Sequence, residues 1–283
     1  MNVVVTGAAG QLGAATVNAW SAAGHSVTGL TRSDLDITRA ADVRRVLGGS
    51  RPDLIINCAA DNRVDAAESA PLPPLAGNAW AVASLARLAA DVGATFVHYS
   101  TDFVFDGDTD RPYTESHPPN PKSVYGMTKL LGEMLAADAP RHYVLRVESL
   151  FGGHTGRSSI DRLWSLMESG QPAMAFSDRT VSPSFIEDVI AATRALVERR
   201  ASAGLYHCVN TGHASWFDVV DHMRASAGFA KDLLSAGRAA DAGFPAPRPM
   251  FAALSNHKLR DAGIAMPSWQ DAIARFVTGR RRG

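Results

Sequence analysis

The chain has 283 residues, 46% hydrophobic and 20% charged, enough for a large core and ordinary for a globular protein. Lys plus Arg and Asp plus Glu each number 28, so no basic field is present to hold nucleic acid. Its two cysteines, Cys58 and Cys208, cannot build a disulfide framework, and no His/Cys cluster has zinc spacing, so neither a staple nor a metal is expected.

The N-terminal Met-Asn-Val-Val-Val-Thr-Gly has no charged leader, and no segment offers the roughly 20 apolar residues of a membrane span. A cytoplasmic protein without a membrane partner is expected. Short apolar runs then alternate with helical patterns: strands at Asn2 to Thr6, Ser26 to Leu30, Leu54 to Cys58, Thr95 to Ser100 and Tyr143 to Val147, with helices at Gln11 to Ala23, Ala41 to Leu47, Leu75 to Val92 and Ser123 to Asp138. Continuous apolar strands point to a parallel sheet covered on both faces, a doubly wound Rossmann-type α/β fold. After Val147 comes a loop over Phe151 to Gly156, helices at Ser158 to Ser169 and Phe185 to Arg199, and a strand at Leu205 to Val209. A helix near Ser215 and one at Trp269 to Val277 follow. We expect a Rossmann domain of residues 1–147 plus roughly 178–203, and a smaller α/β substrate-binding lobe of roughly 148–177 and 204–283. Trp216 and Trp269 read as core residues, and Arg280-Arg281-Arg282 as a solvated tail.

The first strand runs into Gly7-Ala-Ala-Gly10-Gln11-Leu12-Gly13 and a helix follows. Gly7 permits a tight turn, Gly10 lets backbone approach a pyrophosphate, and Gly13 lets helix and strand pack closely; the amides at the helix start then face the anion. The position after the second strand separates NAD from NADP, an acid binding the ribose hydroxyl and an arginine the 2′-phosphate. Here Leu30-Thr31-Arg32 carries no acid at the first position, and Arg32 favours NADP(H), with NAD(H) possible through Asp34 or Asp36.

Further on, Tyr125-Gly-Met-Thr-Lys129 lies 24 residues past Thr101 in Ser100-Thr101-Asp102. Tyrosine and lysine four apart share a helix face, and the ammonium is expected to lower the phenol's pKa from about 10 toward neutrality. The Thr101 hydroxyl would hold a carbonyl oxygen beside it.

These segments resemble the extended short-chain dehydrogenase/reductase superfamily and, more narrowly, the dTDP-4-dehydrorhamnose reductase family. The similarity runs through Asp34-Leu-Asp-Ile-Thr38, Arg51 to Ala60, Val64-Asp65-Ala-Ala-Glu68, Asn78, His98 to Gly107, Pro121 to Glu133, Arg248-Pro249 and Pro267 to Gln270. It implies a reductase of a nucleotide-linked 4-keto-6-deoxysugar, monomeric or homodimeric, with Thr101, Tyr125 and Lys129 as the catalytic set. It places Asp36 and Ile37 near the adenine, with Cys58, Ala59 and Ala60 on the pyrophosphate–ribose path. Tyr125 and Lys129 would also touch the cofactor. Asp102, Val104, Glu148 and Ser149 are the expected substrate contacts, and Val64, Asp65 and Glu68 would lie near sugar and cofactor.

One departure stands out. The family usually has Arg-Thr-Ser-Trp-x-Tyr-Gly after the fifth strand, with its tryptophan beside the sugar. This chain has Arg146-Val-Glu148-Ser149-Leu-Phe151-Gly152, so the pocket wall trades an aromatic for a carboxylate, unless Glu148 only pairs with a neighbouring arginine. Asp61-Asn62 likewise replaces the usual Tyr-Thr or His-Thr. Two alternatives share the motifs. One is a sugar-nucleotide epimerase or dehydratase, although dehydratases carry Asp-Glu where this chain has Asp102-Phe103. The other is a non-catalytic regulatory subunit resembling the methionine adenosyltransferase β subunit.

Overall fold

The computed structural model describes residues 1–153 and 155–281. Six strands form one parallel sheet: β1 (Asn2–Thr6), β2 (Ser26–Leu30), β3 (Leu54–Asn57), β4 (Thr95–Thr101), β5 (His142–Val147) and β6 (Gly204–His207), in the order β6-β5-β4-β3-β1-β2. Successive side chains point to opposite faces, so Val3 and Val5 join one core while Val4 joins the other. Helices α1 (Gln11–Ala22) and α5 (Ile186–Glu198) cover the first face with Leu12, Trp20, Ile186, Val189 and Leu196. Helices α2 (Ala40–Ser50), α3 (Ala81–Val92) and α4 (Val124–Ala136) cover the second with Val43, Leu47, Val82, Leu85 and Ala136. The chain leaves β1 toward β2 and returns to β3 on its other side. The crevice at this reversal, outside the carboxyl ends of the strands, is where open α/β sheets bind ligands.

The remaining elements build a lobe with its own core of Ile160, Trp164, Val219, Met223, Trp269, Ile273 and Phe276. Its helices Ser159–Glu168, Trp216–Ser226 and Trp269–Arg280 each begin Ser-x-x-Asp, with Ser158, Ser215 and Ser268 accepting from the Asp161, Asp218 and Asp271 amides. Each such cap is worth about 1 kcal/mol. Parallel strands Ala173–Phe176 and Leu234–Gly237 complete it.

Four expectations are revised. β6 was assigned to the lobe by position, but it is the sixth strand of the main sheet, and Leu259, Ile264 and Met266 pack into the same sheet-side core. β2 is not covered on both faces, because it lies at the sheet edge and its side chains are exposed or half-buried. Trp269 is core, whereas Trp216 lines a cavity. Finally, the last helix runs to Arg280, which pairs with buried Asp161 and lies over Phe276, and Arg281 donates to the Ala227 carbonyl. Arg282 lies outside the described residues.

Candidate active site

The glycine turn has the close approaches expected of it. Gly7 is left-handed at φ 69°, and a Cβ there would lie 2.6 Å from the Ala59 amide nitrogen. A Cβ on Gly13 would fall 2.2 Å from the Gly7 carbonyl oxygen. Helix α1 starts at Gln11 with no side-chain cap and no acid in its first turn, so no side chain of the helix itself occupies its leading amides. A dinucleotide pyrophosphate fits this cradle. Gly10, Gln11, Leu12, Gly13, Cys58, Ala59 and Ala60 all line one cavity of about 380 Å³, together with Thr101, Asp102, Tyr125, Lys129, Ser149 and Arg179. Gln11 Nε2 also donates to the Gly152 carbonyl at 2.7 Å, pinning the loop after β5 to the glycine turn.

The Ala8 amide donates to the Leu30 carbonyl at 3.0 Å, which sets the end of β2 beside the glycine turn. Arg32 is exposed there. Asp34 and Asp36 are each engaged locally, accepting from Thr31 Oγ1 at 2.6 Å and from Thr38 Oγ1 at 2.7 Å. These bonds hold both carboxyls below the usual carboxylate range. Neither acid nor Arg32 borders the cavity. The Ile37 side chain is packed into the core with Leu35 and Val43.

The cavity floor is polar and buried. Thr6 Oγ1 donates to Asn57 Oδ1 at 2.7 Å, and Asn57 Nδ2 lies 3.0 Å from His98 Nδ1. Burial drives the His98 imidazole well below its ordinary pKa, and the Lys129 charge adds to this. Above the floor, Thr101 Oγ1 donates to Asp102 Oδ1 at 2.9 Å and accepts from the Phe103 amide at 3.2 Å. Helix α4 delivers Tyr125 and Lys129 on one face. Ser123 caps the helix and Glu68, expected near sugar and cofactor, instead accepts from the Val124 amide at 2.8 Å at the helix start and does not line the cavity. Tyr125 OH donates to Asn62 Oδ1 at 3.3 Å.

The tuned phenol is not what the geometry gives. Burial raises the Tyr125 pKa well above 10, and the Asp102 and Asp61 charges raise it further, against a lowering hydrogen bond from Thr101. Lys129 Nζ donates instead to the Tyr99 carbonyl at 2.5 Å. Its own pKa falls to about 8 because burial disfavours the ammonium, against an opposing pull from Glu133. The shared helix face is correct, but i to i+4 spacing does not decide where a flexible ammonium points. A pKa raised in this way keeps the proton on the Tyr125 phenol near neutral pH and suits it to proton donation.

Two expected substrate contacts are displaced. Residues Asp102–Val104 form a single tight turn. Asp102 and Phe103 therefore face the cavity, while Val104 is buried with Phe105, Tyr113, Val209 and Leu254. Glu148 sits behind the wall, fully buried, with Oε2 accepting from the Ser182 amide at 2.6 Å. Burial and the neighbouring Asp102 charge push its carboxyl well above the usual range, and Arg179 acts the other way. Ser149 does reach the cavity, in a left-handed backbone with φ 46°.

Sequence reading missed Arg179 and a second cavity, and marked Asn62 only as a departure, without its bond to Tyr125. Arg179 Nη2 lies 3.6 Å from Asp102 Oδ2. The second cavity, about 250 Å³, adjoins the first through Ser149, Leu150 and Arg179, and adds Ser159, Phe176, Trp216, Phe244 and Arg248. Asp65, expected near the sugar, clamps Arg248 with two bonds of 2.8 Å. Among the described residues no group of three His, Cys, Asp or Glu could hold a metal, and no helix is long and apolar enough to cross a membrane.

Residues 1–281 match the family model described as RmlD substrate binding domain. The chain is 33% identical to the dTDP-4-dehydrorhamnose reductase of Mycolicibacterium smegmatis, covering 97% of this chain and 86% of that one. It is 31% identical to the spore coat polysaccharide biosynthesis protein SpsK of Bacillus subtilis, over 98% and 97%. Among solved structures, the dTDP-4-dehydrorhamnose reductase of Bacillus anthracis in complex with NADP superposes with a TM-score of 0.93 at 29% identity, covering 98% of this chain and 99% of that one. With the family model matching residues 1–281, the chain belongs to the RmlD substrate-binding-domain family, and it is similar along nearly its whole length to curated dTDP-4-dehydrorhamnose reductases.

Proposed function

We propose that the protein is an NADP(H)-dependent reductase of the 4-keto group of a dTDP-linked 4-keto-6-deoxysugar. The observation that carries this reading is the placement of Tyr125, Thr101 and Lys129 in one cavity with the glycine turn. The reduced dinucleotide, when bound, supplies the hydride. The amides of Gln11, Leu12 and Gly13 would hold its pyrophosphate, with Cys58, Ala59 and Ala60 along its path. Arg32 beside β2, with both nearby acids engaged in their own turns, favours the 2′-phosphate of NADP.

As a ketone is reduced, negative charge builds on its oxygen. Tyr125 gives up its phenolic proton there as general acid. Thr101 donates a hydrogen bond to the same oxygen, a preorganised stabilisation of developing charge. Turning the Lys129 ammonium from the Tyr99 carbonyl toward the phenolate left behind would stabilise it. Phe103 packs edge-on to Tyr125, with centroids 5.5 Å apart, and occupies the position where a dehydratase would carry its second carboxylate. The aromatic second cavity suits the nucleotide half of the substrate, with Trp216 at its wall.

The test is NADPH consumption with dTDP-, GDP- and UDP-linked 4-keto-6-deoxysugars, with NADH in parallel. Turnover of the dTDP sugar with NADPH is expected. No turnover of any ketosugar by a folded, NADPH-binding protein refutes the reading.

A further inference from the structure

Three buried polar atoms lack hydrogen-bond partners around one point of the wall: Asp102 Oδ2, Glu148 Oε1 and Arg179 Nε. The two carboxylates are 3% and 1% exposed, and one guanidinium faces both. An arginine presents five donors. Among the described residues none of those of Arg179 makes a hydrogen bond, since its approach to Asp102, at 3.6 Å, is too long to be one. Leaving such groups unmade is costly, and of the three it is the guanidinium, with its donors, that an anionic ligand can complete.

The position of Arg179 names the ligand. It lines both cavities, one holding Thr101 and Tyr125, the other Trp216, Phe176 and Phe244. Its carbonyl accepts from the Trp216 amide at 2.8 Å, which fixes the arginine to the aromatic wall. The other guanidinium of the second cavity, Arg248, is already neutralised by two bonds to Asp65 and covers Phe244. A nucleotide sugar laid across both cavities, sugar toward Tyr125 and base toward Trp216, brings its diphosphate to the shared wall.

We propose that Arg179 is the diphosphate ligand of this chain, held between substrate visits against buried Asp102 and Glu148. The inference rests on the nucleotide-sugar reading above. Arginine matches phosphate geometry in a bidentate fork, whereas lysine acts as a point charge. Asp102 and Glu148 lie beside the guanidinium without accepting a hydrogen bond from it, so its Nη donors remain available.

The experiment is calorimetric titration of wild type and Arg179→Ala with dTDP, thymidine and NADPH. A charge-assisted contact of this kind corresponds to roughly 10- to 100-fold in affinity. Arg179→Ala is expected to weaken dTDP by that factor while thymidine and NADPH bind as in wild type. The variant's KM for the dTDP sugar rises more than its kcat falls. Unchanged dTDP affinity overturns the inference while leaving the reductase reading intact. Failure of wild type to bind dTDP at all overturns the nucleotide-sugar reading and this inference with it. Should the alanine variant fail to bind NADPH, Arg179→Lys decides: several-fold weaker dTDP with normal thymidine supports the fork, and equal dTDP overturns it.

Discussion

Arg146 and Arg179 are both set against buried carboxylates, within the same molecule and near the same strand end, yet their bonding is opposite. Arg146, 2% exposed, donates from Nε to Glu133 Oε1 at 2.8 Å and from Nη2 to Glu133 Oε2 at 2.7 Å. Its Nη1 lies 3.3 Å from His207 Nε2, and His207 Nδ1 reaches the Tyr113 carbonyl at 3.1 Å. Every group in that cluster has a partner, and it joins β5, β6 and helix α4 into one body. The Arg179 cluster has two acids for one base, no hydrogen bond from the guanidinium among the described residues, and cavities on either side. Saturation marks a buried ion pair that holds structure; unmade bonds beside a cavity are what the proposed ligand role of Arg179 rests on.

Perturbing the two regions should separate rate from stability. The largest expected effect is on the open side: Tyr125→Phe removes the proton donor and lowers kcat by roughly 10²–10⁴, with the thermal midpoint nearly unchanged. Single-turnover kinetics against calorimetry checks this, and near-normal turnover would remove Tyr125 from the mechanism. On the saturated side, Arg146→Met strands the Glu133 charge in the interior and costs about 3–5 kcal/mol of stability by denaturant unfolding. The surviving folded fraction should keep its NADPH affinity.

Two smaller effects use pH. His207 is buried neutral, its pKa pushed down to about 3 by burial and by the Arg146 charge. The unfolded chain takes up that proton near pH 6.5, so stability falls as pH drops from about 6.5 toward 3. His207→Gln should flatten that limb in denaturation midpoints measured across it. Glu148 runs the other way. Its raised pKa means the folded state favours the protonated acid, so it costs no stability at pH 4 and destabilises progressively as pH rises past its unfolded value. Glu148→Gln is therefore expected to raise the midpoint modestly at pH 8 and leave it unchanged at pH 4. An equal shift at both pH values would assign the effect to packing.

The glycine turn and the Tyr125 helix were legible in the sequence; the Arg146–Glu133–His207 cluster and the Arg179 wall were not. Gly7, Gly10, Gly13, Thr101, Tyr125 and Lys129 sit in contiguous segments whose spacing is set by backbone geometry, so a strand, a turn and a helix register bring them together. Arg179 carries no such signal, because it lies in a short irregular stretch and gains meaning only from a cavity assembled out of residues 149 to 248. Val104 and Glu148 were misplaced for a related reason. A one-turn helix and a strand end each reverse which side a residue faces, and neither reversal shows in composition. Trp216 and Trp269 are alike in sequence context, each following a capping serine, yet only packing separates the cavity wall from the core.

The lateness of β6 has a consequence for how the molecule is made. Five strands of the sheet are complete by Val147, but the edge of β5 stays open until Gly204–His207 arrives, after the first part of the lobe and helix α5 have been synthesised. Through that interval an unpaired strand edge is exposed, and Arg146 has Glu133 but not His207. Such an edge is a template for pairing with another chain. A fragment ending shortly before residue 204 should therefore hold a nearly complete dinucleotide fold and still aggregate, and the nascent chain should need a chaperone most while residues 148 to 207 emerge.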